Sequence, residues 1–429
     1  MLKKKTTKSS QVRYDILSFN ELAQTDEQKC VISHWMHTQG TPFAKPYEKR
    51  AKKILPKVEF GIIADRLQAL NSERISVRSA DQLSFFPELF DVPFPPPKAP
   101  KFTFIDLFAG IGGFRIAMQN CGGKCVFSSE WDEAAQQTYF ANYGELPFGD
   151  ITKEETKACI PSGFDVLCAG FPCQAFSLAG QRKGFDDDYK GRSRGTLFFD
   201  VVRICDKHRP KAVFCENVKG LTIHDKGQTF QIIVGALEEL GYHVHHQILN
   251  SKNFGVPQNR ERIYIVGFRK DVDDSQFKFP LPMNKAVKIR DIIEETPVSV
   301  KYYLSTQYME TLIRHRARHE AKGHGFGYVI RDLDDVSGAI VCGGMGREGN
   351  LIVDKRLEDF TPVTHIKGKV NRDGIRKMTP REWSRLQGYP CDYKLVVSDV
   401  HLYKQFGNSV TVPVIQAISS QIAKVLGYE

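Results

Sequence analysis

A chain of 429 residues, 41% apolar and 26% charged, is long enough for two or three domains with cores of their own and has the composition of a soluble globular protein. No run of 18 apolar residues occurs, which excludes a membrane-spanning helix, and the basic start "MLKKKTTKSS" lacks the apolar stretch of a secretory signal. A net charge of +10 suits a polyanionic partner as readily as it suits a merely basic soluble protein. Ten cysteines include no CxxC pair, and Cys121 and Cys125 lack partner ligands nearby, so no metal is expected and the thiols read as reduced in a cytoplasmic protein.

Residues 1–90 carry no catalytic motif. "SFNELAQTDEQKCVISHWMHTQ" and "FGIIADRLQALNSE" have helical spacing and predict an N-terminal helical extension over 1–90. Its basic run "YEKRAKK" admits an accessory DNA-binding or self-regulatory segment; an extension packed on the rest of the chain is the plainer reading. "DVPFPPPKAPK" reads as a stiff Pro-rich linker over 91–101. From 102 to 274 short apolar runs alternate with helical stretches: "FTFIDLF", "KCVFSSE", "FDVLCAG", "KAVFCENV", "VHHQIL" and "RIYIVGF". This predicts an α/β fold of βα units around a mostly parallel sheet. Residues 275–376 are irregular, with glycine-rich "KGHGFGY" and "VCGGMGREGN", and read as a small separate domain. Helical spacing returns over 377–429 in "TPREWSRLQGY" and "FGNSVTVPVIQAISSQIAKVL".

"FTFIDLFAGIGGFRIAMQ" predicts strand, glycine turn and helix, with Asp106 near the strand end and Gly110, Gly112 and Gly113 in the turn. Glycines there let a ligand approach backbone. The dinucleotide pattern G-x-G-x-x-G is broken by Arg115, which argues against a pyrophosphate. Glu130 closes the second strand and can take two ribose hydroxyls; Trp131 can cover an adenine face; Asp150 in "FGDI" can accept from an adenine amino group. Such a set describes a nucleoside ligand without pyrophosphate, and S-adenosylmethionine fits.

Cys173, in "AGFPCQAFS", follows a predicted strand, and Pro172 stiffens its loop. Loops at strand carboxyl ends hold the chemistry of open α/β sheets. A buried inert thiol is the commoner state of any single cysteine, and no histidine activator lies near in sequence. Glu216, ending "KAVFCENV", is a poor activator of a thiol because like charge raises its pKa; protonated, it can bond N3 of a cytosine and make C6 electrophilic.

These residues carry a resemblance. "DLFAGIGGF", "SEW", "GDI", "GFPCQAFS", "RGTLFFD", "ENV", "NFGVPQNRERIYIVG", "TPREWSRLQGYP" and "QFGNSVTVPV" resemble, in order over roughly 102–425, the blocks of the DNA (cytosine-5)-methyltransferase family of prokaryotic restriction-modification systems. The resemblance implies a Rossmann-like, S-adenosylmethionine-dependent catalytic domain, with 275–376 as target-recognition domain and 377–429 returning to the catalytic domain. It adds Phe108, Ala109, Ile111, Ile151, Pro172, Leu197, Asn408, Ser409 and Val410 to the cofactor set. It implies Cys173 as nucleophile on C6 of a flipped cytosine, Glu216 on N3, Arg262 on the O2 side and Arg260 as support. For DNA it implies Gln174, Ser177, Lys183, Arg192 and Arg194 on a lid and Gln258 near the site, with Arg331, Arg347 and Asn350 as candidates for base readout in a short palindrome rich in CC and GG. Basic lid residues are as often merely solvated, and the acidic "DDDY" at 186–189 resembles a small insertion.

The expected enzyme is a monomeric, site-specific methyltransferase protecting DNA from a partner restriction endonuclease. A transfer RNA methyltransferase shares the blocks but has a "CFT" signature absent here. A silent DNA-binding regulator would not need Cys173, Glu216 and Arg262 intact, and a thiol hydrolase leaves the cofactor set unexplained.

Overall fold

The computed structural model describes residues 4–5, 13–14, 19, 23–39, 41–71, 87–172, 197–283, 286–325, 327–342, 347–363 and 368–428. Six strands form its central sheet: β1 (Phe102–Leu107), β2 (Gly123–Ser129), β3 (Val166–Ala169), β4 (Ala212–Val218), β5 (Tyr242–Asn250) and β6 (Glu261–Arg269). They lie in the order β2-β1-β3-β4-β6-β5. β1 to β4 pair in parallel, and β6 runs antiparallel to both of its neighbours. The α/β, mostly parallel architecture is therefore present. The strand order reverses between β1 and β3, and such a switch point opens a crevice at the strands' carboxyl ends.

β1 shows why the sheet is buried on both faces. Phe102 and Phe104 point into one apolar cluster, Ile105 and Leu107 into the other, as the two-residue period of a strand requires. The first face is covered by α4 (Gly113–Asn120) and by α11 (Val412–Val425), whose Val414, Ile415 and Ile418 are fully buried. The C-terminal helices thus close one face of the central sheet.

The second face is covered partly by the N-terminal segment. α1 (Asp26–His37) starts at Thr25, whose hydroxyl accepts from Gln28 N, and carries Asp26 and Glu27 in its first turn, where the helix dipole favours acids. α2 (Ala44–Ile54) and α3 (Lys57–Asn71) follow. Ile32, Trp35 and Tyr47 share a cluster with Val126, Phe127 and Phe148 of the sheet region, and the Tyr47 hydroxyl donates to Val126 O at 2.9 Å. The described part of the extension packs into the catalytic core. Residues 91–101 run irregularly, and Phe94 stacks on Tyr393.

Within 275–376, α8 (Thr306–Glu320) and the antiparallel pair Leu351–Val353 with Ile375–Lys377 enclose a small cluster of Leu304, Met309, Leu312, Leu351 and Ile375. Buried Arg376 fastens this region to α9 (Pro380–Leu386) by two 2.7 Å bonds to Glu382 and one of 2.9 Å to Asp354. No helix among the described residues is long and apolar enough to cross a membrane, and no metal-ligating cluster occurs among them.

Candidate active site

The carboxyl ends of β1, β2, β3 and β4 open on one cavity of about 1470 Å³. After β1 the chain turns through Phe108 and Gly110, both at φ +55°, and Gly112 at φ +79°. A side chain at positive φ costs about 1–2 kcal/mol, so Phe108 is strained at the cavity wall. Among the described residues, no atom beyond its chain neighbours lies within 4 Å of where a Cβ on Gly110 would stand, so the turn presents bare backbone. Tyr143 braces the turn from behind, its hydroxyl donating to Gly112 O at 2.8 Å. A Cβ on Gly113 would stand 2.6 Å from Val410 and 2.8 Å from the Tyr389 hydroxyl, so the closing segment packs directly on the turn.

Phe108, Ala109, Gly110, Ile111, Gly113, Glu130, Trp131, Asp150, Ile151, Pro172, Leu197, Asn408, Ser409 and Val410 all line this cavity. Glu130 accepts from Gly110 N (2.8 Å), Trp131 N (2.9 Å) and Asp132 N (2.8 Å). Burial raises its pKa against those three bonds. Three N–H donors fix the orientation of this carboxylate and leave it capacity to accept from a ligand. Asp150 commits Oδ1 to Thr152 N and Oγ1 and keeps Oδ2 for another donor. Trp131 is 71% exposed, a large aromatic face with little protein over it. These groups fit a nucleoside: a bare backbone approach, a carboxylate for sugar, a ring for stacking and an acid for an amino group.

Two members of the expected cofactor set stand elsewhere. Gly112 lies beneath the turn against Tyr143. Asp106 is fully buried and off the cavity wall; burial pushes its pKa up to about 8, against the opposing pull of the Arg115 guanidinium and backbone N–H.

Across the cavity, Glu216 stands 8% exposed near the end of β4, with Oε1 3.2 Å from Arg262 Nε. The antiparallel register explains the pairing, since Val218 faces Arg262 and Glu216 faces Tyr264 across β4 and β6. Burial raises the Glu216 pKa, while Arg262 and Arg260 oppose the shift. Arg260 is buried and donates to Ile340 O (2.7 Å) and Ser409 O (2.8 Å), so it ties the closing segment to the small region. Asn217, beside Glu216 in the "ENV" block, has no role legible in the sequence; its amide donates to Phe171 O at 2.9 Å and anchors the loop that leads to Pro172. Equally unmarked in the sequence are Cys342, which lines the cavity and donates to Asn408 Oδ1 at 2.7 Å, and Lys404, which pairs with Asp132 at 2.6 Å. These contacts join residues far apart in sequence, and no local pattern marks them.

The residues expected to meet DNA divide. Cys173, Gln174, Ser177, Lys183, Arg192 and Arg194 lie outside the described residues. Gln258 is corrected: it is fully buried, its amide donating to Leu386 O (2.9 Å) and accepting from Ile340 N (3.0 Å), which makes it a brace. Asn350 is also corrected: it is 2% exposed and accepts from Gly338 N and Arg331 Nε. Arg331 bonds Gly349 O, and Arg347 stacks over Tyr403.

Residues 102–424 match the family model of the C-5 cytosine-specific DNA methylase. The chain belongs to that family. Over 329 residues, 76% of this methylase and 90% of the relative, it is 65% identical to the Type II methyltransferase M.HpaII of Haemophilus parainfluenzae. It is 40% identical over 333 residues to the Type II methyltransferase M.HhaI of Haemophilus parahaemolyticus, covering 76% and 95% of the two chains. The crystal structure of the S. pombe Dnmt2 methyltransferase has the same fold, with a TM-score of 0.57, 18% identity and coverage of 76% and 99%. The methylase is thus a DNA cytosine-5 methyltransferase on the fold of the S-adenosylmethionine-dependent enzymes.

Proposed function

We propose that this methylase transfers a methyl group from S-adenosylmethionine to C5 of a cytosine flipped out of a short duplex site, through a covalent bond from Cys173 to C6. The observation that carries this reading is the one cavity in which the nucleoside-type groups Glu130, Trp131 and Asp150 face the buried Glu216–Arg262 pair. S-adenosylmethionine would supply an electrophilic methyl on a sulfonium, held by the Gly110 turn, Glu130, Trp131 and Asp150. Burial favours the protonated form of Glu216, which donates to N3 of the base and makes C6 electrophilic. The Cys173 thiolate adds to C6, C5 takes the methyl, a base removes the C5 proton, and the thiolate leaves. Arg262 fixes the orientation of Glu216 and faces the O2 side. Stacked bases hide these atoms, so the cytosine is extruded at a cost of a few kcal/mol.

The names of the Type II relatives fit a restriction-modification system; the proposed role is protection of DNA beside a restriction endonuclease of the same specificity, by a monomer in the cytoplasm. The test is incubation with methyl-labelled S-adenosylmethionine and either duplex DNA or transfer RNA, then mapping of modified positions on plasmid from expressing cells. Label on cytosine within one recurring duplex sequence is expected. Label on transfer RNA alone, or no stable Cys173 adduct on target DNA carrying 5-fluorocytosine, overturns the reading.

A further inference from the structure

The N-terminal segment precedes the family match, yet two of its side chains reach the support of the cofactor turn. Arg115, fully buried on α4, donates Nη1 to Glu145 Oε1 (2.6 Å) and to the Tyr139 hydroxyl (2.9 Å), and its guanidinium lies 4.9 Å from the centre of the Tyr143 ring. Tyr143 is the residue whose hydroxyl holds Gly112 O. Behind Arg115, Glu145 meets two histidines of α1: His34 Nε2 stands 3.2 Å from Oε1, and His37 Nδ1 stands 3.7 Å from Oε2. All four side chains are fully buried.

The protonation of this cluster follows from its acceptors. His34 Nδ1 lies 2.8 Å from Cys30 O, which only accepts, so Nδ1 carries hydrogen. His37 Nε2 likewise donates to Leu89 O at 3.0 Å. A neutral His34 would then turn a lone pair on a carboxylate oxygen at 3.2 Å. Burial, the larger influence, lowers the His34 pKa and Glu145 opposes it; at 3.2 Å a proton lying between Nε2 and Oε1 would relieve the approach of two lone pairs. The groups facing this pair are Arg115, His37, Cys30, Tyr47, Ser128 and, more distantly, Lys124. Glu145 thus balances Arg115 on one side and the α1 histidines on the other. Removing one partner of such a buried set leaves an uncompensated charge beside the turn.

We propose that His34 is a positioning residue for the cofactor: through Glu145 and Arg115 it holds Tyr143 and the Gly112 turn in the form that binds the nucleoside. The N-terminal segment then completes the cofactor site from behind without touching the ligand. This rests on the cofactor reading above, which wild-type binding of S-adenosylmethionine tests separately.

The experiment measures S-adenosylmethionine dissociation constants and kinetics for the full chain carrying His34→Ala or His34→Gln. His34→Ala is expected to weaken cofactor binding about tenfold, the scale of ordinary coupling between sites, with DNA affinity and kcat at saturating cofactor unchanged. His34→Gln, which keeps an N–H toward Glu145, is expected to restore most of the loss. Lowered melting temperature with an unchanged cofactor dissociation constant would show a role in folding alone and overturn the proposal. Coupling is reciprocal, so wild-type amides over 26–37 should exchange hydrogen more slowly when cofactor is bound. That second measurement needs no variant to fold, and equal exchange with and without cofactor would also overturn the proposal.

Discussion

At the scale of single residues, burial raises the pKa of two carboxyl groups, one on the cavity wall and one behind it. Glu216 is held near Arg262, and its raised pKa favours the acid form that the proposed mechanism uses on N3. Glu216→Gln retains an N–H donor but has no acidic proton, so kcat should fall about 10²- to 10⁴-fold, the range for a general acid. If the acid form is the active one, as proposed, wild-type kcat should decline as pH rises through the raised pKa; the variant should lack that limb, and a shared limb would assign it to another group. Burial holds the Asp106 pKa near 8, against 3.8 for an ordinary aspartate, despite Arg115 beside it. A raised acid favours folding when protonated, so its contribution is complete below pH 4 and is lost as pH rises toward 8. The slope is about 1.4 kcal/mol per pH unit. Urea unfolding at pH 5, 7 and 9 should show Asp106→Asn gaining on the wild type up to pH 8 and then running parallel to it. Parallel curves throughout would mean that Asp106 stays ionised in the folded protein.

At the scale of elements, strand ends set the site and side chains tie the loops that leave them. Asn217 holds Phe171 O, two residues before Cys173 in sequence. Asn217→Ala should leave cofactor affinity unchanged and lower kcat about 100-fold, the penalty of a displacement near 1 Å at a reacting group. Equal losses in both quantities would point to collapse of the whole cavity. The sequence made the strand–turn–helix at 102–120 and the acids at 130, 150 and 216 legible, because alternating apolar residues and glycines are local signals. Gln258 and Asn350 misled because a polar side chain reads alike whether it meets a DNA groove or a buried carbonyl. The difference lies in Leu386 O and Gly338 N, which only the tertiary fold brings near. The Arg376–Glu382 pair and the Asn217 tie were illegible for the same reason, while His34 and Glu145 are separated by more than a hundred residues.

At the scale of the whole molecule, the N-terminal segment decides whether the catalytic sheet can stand alone. Val126, Phe127 and Phe148 are buried in the cluster that also contains Ile32, Trp35 and Tyr47. Burying a large apolar side chain is worth about 1.5–3 kcal/mol, so uncovering three of them forfeits a sum comparable to the roughly 5–15 kcal/mol that holds a domain together. Polar groups lose partners as well, since Lys124 Nζ donates to Gln39 O at 3.2 Å and Glu145 faces His34 and His37. A chain of residues 91–429 should therefore accumulate in the insoluble fraction, and co-expression of residues 1–90 as a separate chain should return part of it to solution, because the lost contacts are noncovalent. The alternative reading of the basic "YEKRAKK" helix as an independent DNA-binding unit predicts the reverse: a soluble 91–429 chain with wild-type melting temperature and weakened nonspecific DNA binding. Solubility, melting temperature and DNA retention on the same two preparations separate these outcomes. The shared core on the second face of the sheet favours insolubility, since Tyr47 reaches past the surface to the backbone of β2 at Val126 O.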